Sequence, residues 1–365
     1  MMKIISVVGT RPQFIKAKPI IDELSKWRVK HILVHTGQHY DYDMSKVFFK
    51  ELSIRRPDYS LGVCSFLHGK QTGLMLQRIE EVLLKESPDA VVVYGDTTST
   101  LAGALASSKL NIPVIHIEAG LRSYRKSMPE EINRVVSDHV SSFLFCPTKT
   151  AVMNLKREGI SKGIFFVGDV MYDLFINVQY LICKRRILPK IAMAGQDYFL
   201  LTIHRQENTD SPKNLKLILS ALSESKVKII FPVHPRTRKA LEKIKTSVFK
   251  KNIFLLIPPI GYLDMLCLEK NAIKIITDSG GVQKEAYWFN IPCIILRKET
   301  EWVEMVNNGN NHLVGNNKEK IINALHIVST RKSMQRASSQ KSHVALKGFG
   351  AAARIVKILM KNFLK

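Results

Sequence analysis

Short apolar runs alternate along this chain with longer amphipathic segments of helical length. A strand buried on both faces of a sheet has a continuous apolar sequence, and two parallel strands need a crossover between them, usually a helix. The alternation therefore predicts βα units, parallel sheets and the α/β fold class. The predicted strands of the first series are Ile4–Val8, His31–His35, Ala90–Tyr94, Val114–Ile117, Phe143–Cys146 and Gly163–Val167.

The alternation is interrupted once and then starts again. Between the two series lie a predicted helix, Met171–Cys183, and a basic, proline-containing connector, Lys184–Gln196. Because 365 residues are too many for one ordinary core, we predict two doubly wound domains, 1–170 and 171–349, facing a cleft. A terminal helix is predicted over 350–365. The predicted strands of the second series are Tyr198–Thr202, Val227–Val233, Ile253–Leu256, Ala272–Thr277 and Pro292–Leu296.

Composition excludes several classes of protein. A hydrophobic content of 45% and a charged content of 24% are those of a globular chain, and no apolar run reaches the ~18 residues of a membrane span. We therefore expect no membrane insertion. Arg11 follows the apolar start and no small-residue cleavage site is present, which argues against a signal peptide. The five cysteines are scattered, as expected of cytoplasmic thiols rather than disulfides or a zinc site.

The formal net charge of +24 would suit a nucleic acid, an anionic membrane surface or a phosphorylated substrate. The lysines are spread along the chain, however, with only mild enrichment near the end. No RNP, zinc-finger or basic-zipper pattern accompanies them. We attribute the charge to a compositional bias and expect no nucleic-acid partner.

The stretch Thr277–Glu285 predicts a phosphate site. Gly280 and Gly281 follow a predicted strand and precede a predicted helix. Glycines let a ligand approach the backbone, and a helix N-terminus offers N–H groups and partial positive charge. Glu285 lies one further turn into the helix, where a carboxylate could bind two ribose hydroxyls. The alternative is a plain strand-to-helix turn with Ser279 as N-cap.

Two strand ends of the first domain carry further candidates. After the first strand, Pro12 suits the first position of a helix, and Arg11 and Lys16 can face an anion beside that helix N-terminus. After the third strand, Asp96 is a candidate acid–base group at the edge of the cleft. The alternative is that Asp96 or Thr97 only caps the next helix.

Two more carboxylates are candidates in the same domain. Glu118 follows the fourth predicted strand, where a carboxylate is costly unless it is paired or functional. An ion pair with Arg122 is the structural alternative. Glu130 has a structural alternative as well, because Ser127 and Glu130 have the spacing of a capping box. On spacing alone, the capping box is the better account of Glu130.

In the second domain, two predicted strands end in histidine, at His204 and His234. Packing does not explain two such strand ends in a domain with few histidines. Metal binding is the rival use, but neither residue has a second ligand at the i, i+4 spacing of a helix. Strand ends that offer carboxylates, histidine and arginine point to acid–base chemistry on an anionic ligand.

Eight motifs, in order over residues 1–315, together resemble the non-hydrolysing UDP-N-acetylglucosamine 2-epimerases. The resemblance implies two Rossmann-like domains of the GT-B type, with the last helix crossing back to the first domain. It also implies a homodimer that acts on a UDP-sugar, a precursor of surface polysaccharide. The motifs are GTRPQFIK (9–16), TGQH (36–39), GDTTST (95–100), HIEAGLRS (116–123), PEEINR (129–134), IHRQEN (203–208), DSGGVQKEA (278–286) and RKETEWVE (297–304).

The resemblance further implies a reaction. The C2 proton of a 2-acetamido sugar is not next to a carbonyl carbon, so its direct removal is difficult. The family is understood to eliminate UDP first, which forms 2-acetamidoglucal. UDP then adds again while a proton reaches the other face of C2. This scheme needs acid–base groups at C2 and stabilisation of departing UDP. It uses no nicotinamide cofactor and no metal.

The matching motif positions imply three sets of site residues. The implied catalytic residues are Asp96, Glu118, Glu130 and His204. The implied substrate-binding residues are Arg11, Lys16, Ser279, Gly280, Gly281, Glu285 and Arg297. The positions that hold a second UDP-GlcNAc as an allosteric activator in some members are matched by Gln38, His39, Arg205 and His234.

The chain departs from the commonest family pattern in two places. Many members carry Thr-Glu-Arg-Pro-Glu where this chain has Thr300–Glu304, so Trp302 stands in place of an arginine. The segment 234–238 replaces the usual His-x-Asn-Pro, which weakens the allosteric assignment. These features resemble a sub-branch that epimerises UDP-2,3-diacetamido-2,3-dideoxyglucuronate. UDP-GlcNAc is the first prediction, the uronate the close alternative, and a GT-B glycosyltransferase the alternative of another class.

Overall fold

A computed structural model describes residues 1–38, 49–64, 66–244, 252–306, 311–326 and 349–363. The chain forms two compact units. The first contains Met1–Val178 and the C-terminal helix, and the second begins at Gln179. No helix in the described ranges combines the length and the apolar character that crossing a membrane requires.

The first unit is built on a parallel sheet of seven strands in the order β3-β2-β1-β4-β5-β6-β7. Alternate residues of β1 and β4, such as Val7 and Val93, pack on one face with apolar residues of neighbouring helices. Gly103 lies in one of these helices, where a Cβ would come within 3.0 Å of Val93. The strands are β1 Met2–Val8, β2 Val29–His35, β3 Tyr59–Ser60, β4 Ala90–Tyr94, β5 Val114–Ile117, β6 Phe143–Cys146 and β7 Ile164–Phe166.

The C-terminal helix belongs to the first unit, where it contacts α1 and α6. Asp173 accepts hydrogen bonds from the backbone N–H groups of Gly350 and Ala352, at 2.7 and 2.8 Å. These bonds satisfy N–H groups at the start of the helix, and Ile355 and Leu359 bury its apolar face. The helices of this unit are α1 Arg11–Leu24, α2 His68–Glu86, α3 Thr98–Lys109, α4 Pro129–His139, α5 Lys149–Arg157, α6 Val170–Asn177 and, at the end of the chain, α16 Ala351–Phe363.

The second unit repeats the architecture with a parallel sheet of six strands in the order β10-β9-β8-β11-β12-β13. Its strands are β8 Tyr198–Thr202, β9 Lys228–Pro232, β10 Phe254–Ile257, β11 Lys274–Thr277, β12 Cys293–Ile295 and β13 Asn311–Leu313. Its helices are α7 Gln179–Cys183, α8 Ile187–Lys190, α9 Gln206–Thr209, α10 Pro212–Leu222, α11 Pro235–Glu242, α12 Tyr262–Asn271, α13 Gly280–Trp288, α14 Val303–Val306 and α15 Lys318–His326.

The α/β class and the two parallel sheets predicted from the sequence are confirmed, and each predicted strand is present. Two edge strands, β3 and β13, fall outside the predicted set because they are too short to leave a readable pattern. The single helix predicted over Met171–Cys183 is wrong, since α6 and α7 are separate helices. The division between the units falls at that break, after Val178.

Candidate active site

The turn after β1 is tied to the end of β4 through one glutamine. The Oε1 atom of Gln13 accepts hydrogen bonds from the N–H groups of Gly9 and Thr10, and its Nε2 donates to the carbonyl of Tyr94 at 3.0 Å. α1 therefore starts at a fixed place beside β4. Arg11 is its first residue and is half-buried, and Lys16 lies one turn further and is buried.

Lys16 forms an ion pair with Glu118, which follows β5. The distance from Nζ to Oε1 is 2.5 Å, and both side chains are less than a tenth exposed. The pair lies against Gly95, where a Cβ would come within 2.8 Å of the Lys16 ammonium and 3.3 Å of the carboxylate. A side chain at position 95 would therefore push Lys16 away from Glu118.

The sequence-based alternative of a Glu118–Arg122 ion pair is wrong. Arg122 donates instead to the buried carboxylate of Asp138 at 2.6 Å, and its Nε donates to Glu158 at 2.7 Å. The left-handed turn at Gly120, with φ of 81°, separates Arg122 from the strand end that carries Glu118. Glu118 is paired, but its partner comes from α1.

The backbone at Glu118 is strained. Its φ is 71°, in the left-handed region that non-glycine residues avoid at a cost of about 1–3 kcal/mol. The N–H groups of Glu118 and Ala119 both donate to the carbonyl of Phe145 at 3.1 Å, which holds this conformation. Such strain in a non-glycine residue is typical of functional sites, where it fixes the direction of a side chain.

A buried histidine connects this strand end to α4. His116 lies between the Asp138 carboxylate and the carbonyl of Gly95, each 2.7 Å from one ring nitrogen. Burial alone would raise the pKa of Asp138. The charge and hydrogen bonds of His116 and Arg122 outweigh it and hold the pKa of Asp138 below its usual value. Gly95 is thereby fixed one residue before Asp96.

Asp96 is paired with an arginine that the sequence analysis did not select. Arg134 of α4 donates through Nη2 to the Asp96 carboxylate and through Nη1 to Glu131 at 2.9 Å. Asn133 donates to the Asp96 carbonyl at 2.9 Å. Asp96 keeps 28% of its side chain exposed, whereas Arg134 is buried. The sequence does contain a signal for this arginine, because Arg134 lies three residues after Glu131 in the PEEINR motif. Two residues at that spacing lie on the same face of a helix.

The capping box predicted from Ser127 and Glu130 is wrong. The N-cap of α4 is Met128, and no side chain caps this end of the helix. Glu131, not Glu130, reaches back to the preceding loop and accepts hydrogen bonds from the N–H groups of Ser123 and Tyr124. Glu130 is half-buried in the first turn of α4. A capping role therefore does not explain a glutamate at this position.

Gln38 and Thr97 both stabilise the first turn of α3. Gln38 accepts hydrogen bonds from the N–H and hydroxyl groups of Ser99, the hydroxyl at 2.6 Å, and so holds the first turn of α3. Thr97 is the N-cap of that helix, as one sequence alternative proposed. His39 lies outside the described residues.

In the second unit, Asp278 organises the end of β8. It is fully buried and accepts hydrogen bonds from the N–H groups of His204 and Arg205 and from the Asn208 amide, at 3.0–3.1 Å. Burial acts to raise its pKa. The charge of His204, with its hydrogen bond and those of Asn208 and Arg205, lowers the pKa to about 2. This carboxylate adds to the backbone pairing that joins the ends of β8 and β11.

His204 is held with one ring nitrogen against that carboxylate. Its Nδ1 lies 3.2 Å from Asp278, and 40% of the side chain is exposed. A buried carboxylate fixes the orientation of the ring, as a proton-transfer histidine requires. His234 lies beside it with ring centroids 5.8 Å apart, and also caps α11 by accepting from the N–H of Arg236. No metal-binding group of three His, Cys, Asp or Glu occurs in the described ranges.

The N-terminus of α13 combines a cap with an anion-binding geometry. Ser279 is the N-cap of α13, and its hydroxyl accepts a hydrogen bond from the N–H of Val282. The capping role that the sequence offered as an alternative is therefore present. Gly280 and Gly281 form the first turn of the helix. The first N–H groups of a helix have no partner within it, and together with the dipole they attract phosphate. The cap and the anion site are therefore compatible.

An arginine–glutamate group lies beside this helix start. Arg297 is buried, and its Nη2 lies 2.8 Å from Glu301. Arg205 approaches the same carboxylate at 3.8 Å. A Cβ at Gly280 would be 3.4 Å from Glu301 Oε1, which places the group at the first turn of α13. Arg297 and Arg205 therefore face one carboxylate, that of Glu301. The net positive charge of this group favours the binding of an anion.

Trp302, which stands where an arginine is common, packs on a buried lysine. The ammonium of Lys284 lies 4.4 Å from the centroid of the Trp302 ring, and both residues are at most 2% exposed. The face of an indole attracts a desolvated cation. The ring also reaches the start of α13, because Nε1 would lie 3.6 Å from a Cβ at Gly280. Lys284 supplies a positive charge near the helix start without an arginine at position 302.

The two units are doubly wound parallel-sheet domains. The strand ends of the first carry paired carboxylates, and the second has a glycine turn at the start of a helix. Such a chain is an α/β enzyme for an anionic, nucleotide-like ligand. A family model described as UDP-N-acetylglucosamine 2-epimerase matches residues 22–360. The chain therefore belongs to the UDP-N-acetylglucosamine 2-epimerase family.

Similar proteins match this chain along nearly its whole length. A UDP-N-acetylglucosamine 2-epimerase homolog of Methanococcus maripaludis is 58% identical over 325 residues, 88% of this chain and 91% of that protein. The UDP-2,3-diacetamido-2,3-dideoxy-D-glucuronate 2-epimerase of Pseudomonas aeruginosa is 46% identical over 99% of this chain and 100% of its own length. The crystal structure of the Methanocaldococcus jannaschii UDP-GlcNAc 2-epimerase with UDP-GlcNAc and UDP superposes with a TM-score of 0.91 at 46% identity, covering 99% of this chain and 100% of that one.

Proposed function

We propose that this protein is a non-hydrolysing 2-epimerase of UDP-N-acetylhexosamines, interconverting UDP-GlcNAc and UDP-ManNAc. One observation carries the proposal. Two carboxylates at neighbouring strand ends, Asp96 and Glu118, are each held by a buried cation, Arg134 and Lys16. The strained backbone of Glu118 and the partial exposure of Asp96 are features that cluster at functional sites.

In the proposed reaction the C1–O bond to UDP breaks as a base removes the C2 proton, and a C1=C2 double bond forms. UDP then adds back at C1 while an acid delivers a proton to the opposite face of C2. Atoms and charge balance without a cofactor. Asp96, Glu118 and Glu130 are the acid–base candidates at C2, and His204, oriented by Asp278, is the candidate for assisting the departing diphosphate.

The second unit holds the leaving group in this proposal. The N–H groups of Gly280 and Gly281 and the hydroxyl of Ser279 bind the diphosphate at the start of α13, and Arg297 adds positive charge near by. Glu285, 4% exposed on the same helix, takes the ribose hydroxyls. On the first unit, Arg11 and Lys16 are the candidate substrate-binding cations beside the start of α1. Stabilising the negative charge that develops on UDP lowers the barrier to elimination.

A second substrate is favoured by a specific observation. The Pseudomonas relative, which is named for a diacetamido-glucuronate, matches this chain over its whole length. Position 302 departs from the commoner arginine, and Arg236 and Arg238 are exposed at the start of α11, where they would suit a uronate carboxylate. UDP-2,3-diacetamido-2,3-dideoxyglucuronate is therefore the alternative substrate of the same reaction.

The test is direct. The protein is incubated with each UDP-sugar separately, and the C2 epimer is followed by NMR. Epimer formed from UDP-GlcNAc supports the first assignment. Epimer formed only from the diacetamido-uronate transfers the assignment to the alternative. No epimer from either sugar would refute the proposed function.

The proposal extends to the setting of the enzyme. We place it in the cytoplasm as a homodimer that supplies an epimerised UDP-sugar for surface polysaccharide, in keeping with five free cysteines. Light scattering after gel filtration measures the oligomeric state. If a second UDP-sugar acts as an activator, the plot of rate against UDP-GlcNAc concentration is sigmoidal. The candidate residues are Gln38 in the first unit and Arg205 and His234 in the second.

A further inference from the structure

His116 lies between two oxygen acceptors in the interior of the first unit. It is on β5 and is fully buried. Its Nδ1 is 2.7 Å from Oδ1 of Asp138, and its Nε2 is 2.7 Å from the carbonyl oxygen of Gly95. Both distances are those of good hydrogen bonds, so each nitrogen of the ring is bonded to an oxygen.

These two partners require both ring nitrogens to donate. A carbonyl oxygen offers only lone pairs, and so does an ionised carboxylate. Asp138 is ionised, because its other oxygen accepts hydrogen bonds from the Arg122 guanidinium at 2.6 Å and from the N–H of Gly120 at 3.1 Å. A neutral imidazole has one N–H and one lone pair, and that lone pair would face an oxygen lone pair at 2.7 Å. The positively charged imidazolium, with two N–H donors, satisfies both contacts.

The charges around this ring balance when the ring is charged. Arg122 donates to Asp138 and also to Glu158, the latter at 2.7 Å. With a charged His116, two cations face these two carboxylates, and the group as a whole is neutral. Cys146 on β6 is a further titratable group near Asp138. Burial first, and the charge of Asp138 second, raise the pKa of its thiol, which therefore stays neutral and leaves the balance unchanged.

The contact to Gly95 holds the backbone that carries Asp96. Gly95 has a φ of 64°, in the left-handed region. Its N–H donates to the carbonyl of Ile117 at 2.9 Å, and its carbonyl accepts from His116. That carbonyl belongs to the peptide bond to Asp96, whose own carbonyl accepts from Asn133 at 2.9 Å. The backbone on both sides of the Asp96 α-carbon is therefore held by side-chain donors.

We propose that His116 is a positioning residue whose imidazolium fixes the peptide bond between Gly95 and Asp96, and with it the place of the Asp96 carboxylate. The inference rests on the proposed function, in which Asp96 is an acid–base group at C2. A displacement of about 1 Å at a reacting group can lower the rate by about 100-fold. Turnover should therefore depend on the donor that faces Gly95 more than on the donor that faces Asp138.

Two variants of equal charge separate the two contacts of the ring. The amide nitrogen of glutamine is as many bonds from the backbone as Nε2, so His116→Gln keeps a donor for Gly95. The amide nitrogen of asparagine is as many bonds away as Nδ1, so His116→Asn keeps a donor for Asp138 alone. Turnover with the UDP-sugar that the wild type epimerises, UDP affinity and urea unfolding are measured for the full-length wild type and both variants.

We expect H116N to lower kcat by about 100-fold, and H116Q to retain about ten times the kcat of H116N. UDP affinity should be unchanged in both variants, because the second unit holds UDP in the proposed function. Each variant removes one buried positive charge, so a purely structural role predicts equal losses of stability and of activity in the two. Equal kcat in H116N and H116Q, or losses of activity that follow the losses of stability, would overturn the positioning role.

The charge of the ring is tested in the wild type itself. NMR of protein with ¹⁵N-labelled histidine distinguishes an imidazolium from a neutral ring, and sequential assignment identifies the signals of His116. We expect both ring nitrogens of His116 to carry a proton at pH 7. A neutral ring in an active wild type would overturn this inference alone, even if neither variant folds. A wild type that epimerises neither UDP-sugar would overturn the proposed function and the positioning role together.

Discussion

The two units treat their buried carboxylates differently. In the first unit Glu118 and Asp96 each face a cation, Lys16 and Arg134. In the second unit the buried Asp278 accepts hydrogen bonds from two backbone N–H groups and from the Asn208 amide. A cation keeps a carboxylate at a strand end ionised and able to exchange a proton with a ligand, whereas hydrogen-bond donors around a buried carboxylate fix the backbone beside it. In the proposed function the first arrangement belongs to groups that act on the sugar, and the second supports the unit that holds the nucleotide.

The largest effect is expected from Asp96→Asn. The amide cannot take or give the C2 proton, so we expect epimerisation to fall by about 10³-fold, within the range for losing a general acid–base group. UDP binding, measured by calorimetry, should stay within twofold. Asp22→Asn on the exposed face of α1 is the matched control and should keep full activity. Loss of UDP binding in D96N would contradict the role given to Asp96.

A smaller loss is expected from Lys16→Met. The change takes the Lys16 ammonium away from the strained, largely buried Glu118, so the charged form of this carboxylate becomes less stable. We expect kcat/KM to fall by about 100-fold. Lys18→Met, two residues along the same helix and paired only with surface Asp22, is the control. If K16M and K18M had equal activity, the pairing of Glu118 would be irrelevant to catalysis.

Asp278 should contribute to stability over a defined range of pH. Its pKa in the folded protein is about 2, below the usual value of 3.8, so its contribution is complete above the unfolded value and is lost as pH falls towards 2. Asp278→Asn should lower stability by about 2 kcal/mol at pH 7. Urea unfolding measures this.

The same series supplies the control and the contrary result for Asp278. Asp210 is exposed. Asp210→Asn should therefore have the same free energy of unfolding as the wild type at pH 4 and at pH 2. The difference between D278N and the wild type should shrink as pH is lowered from 4 to 2. A difference that stays constant over that range would contradict the ionised state of Asp278.

The smallest effect belongs to Glu285→Ala. Loss of the ribose contact should weaken UDP binding by about tenfold, with little change in the turnover rate at saturating substrate. Calorimetry and initial rates measure the two quantities. Glu242→Ala, exposed at the end of α11, is the control. Unchanged affinity, or a loss of turnover as large as that of D96N, would show that Glu285 does not bind the ribose as proposed.

Sequence patterns predicted the sheets well, for a physical reason. Strands such as β4 and β5 are buried on both faces, so their apolar runs are continuous and stand out from the amphipathic helices. β3 and β13 lie at sheet edges and are too short to show a period. The sequence did not predict the break between α6 and α7 at Val178, because the apolar residues on both sides of it have the spacing of one continuous helix.

The side-chain partners could not be predicted in the same way. Lys16 and Glu118 are 102 residues apart in sequence, so local spacing pointed to Arg122 instead. Arg134 and Glu131 occur in a motif that was recognised, but only the fold brings Arg134 to Asp96. Positions at strand ends are readable from sequence, and pairs across strands are not.

One measurement tests the central claim, that carboxylates of the first unit move the C2 proton while the second unit holds UDP. The protein is incubated with UDP-GlcNAc, and then with the diacetamido-uronate, in D2O, and NMR reports the hydrogen at C2. The account predicts that deuterium replaces hydrogen at C2 in each epimer formed, because solvent protons exchange with the acid–base groups. Epimer formed with hydrogen retained at C2 would contradict it.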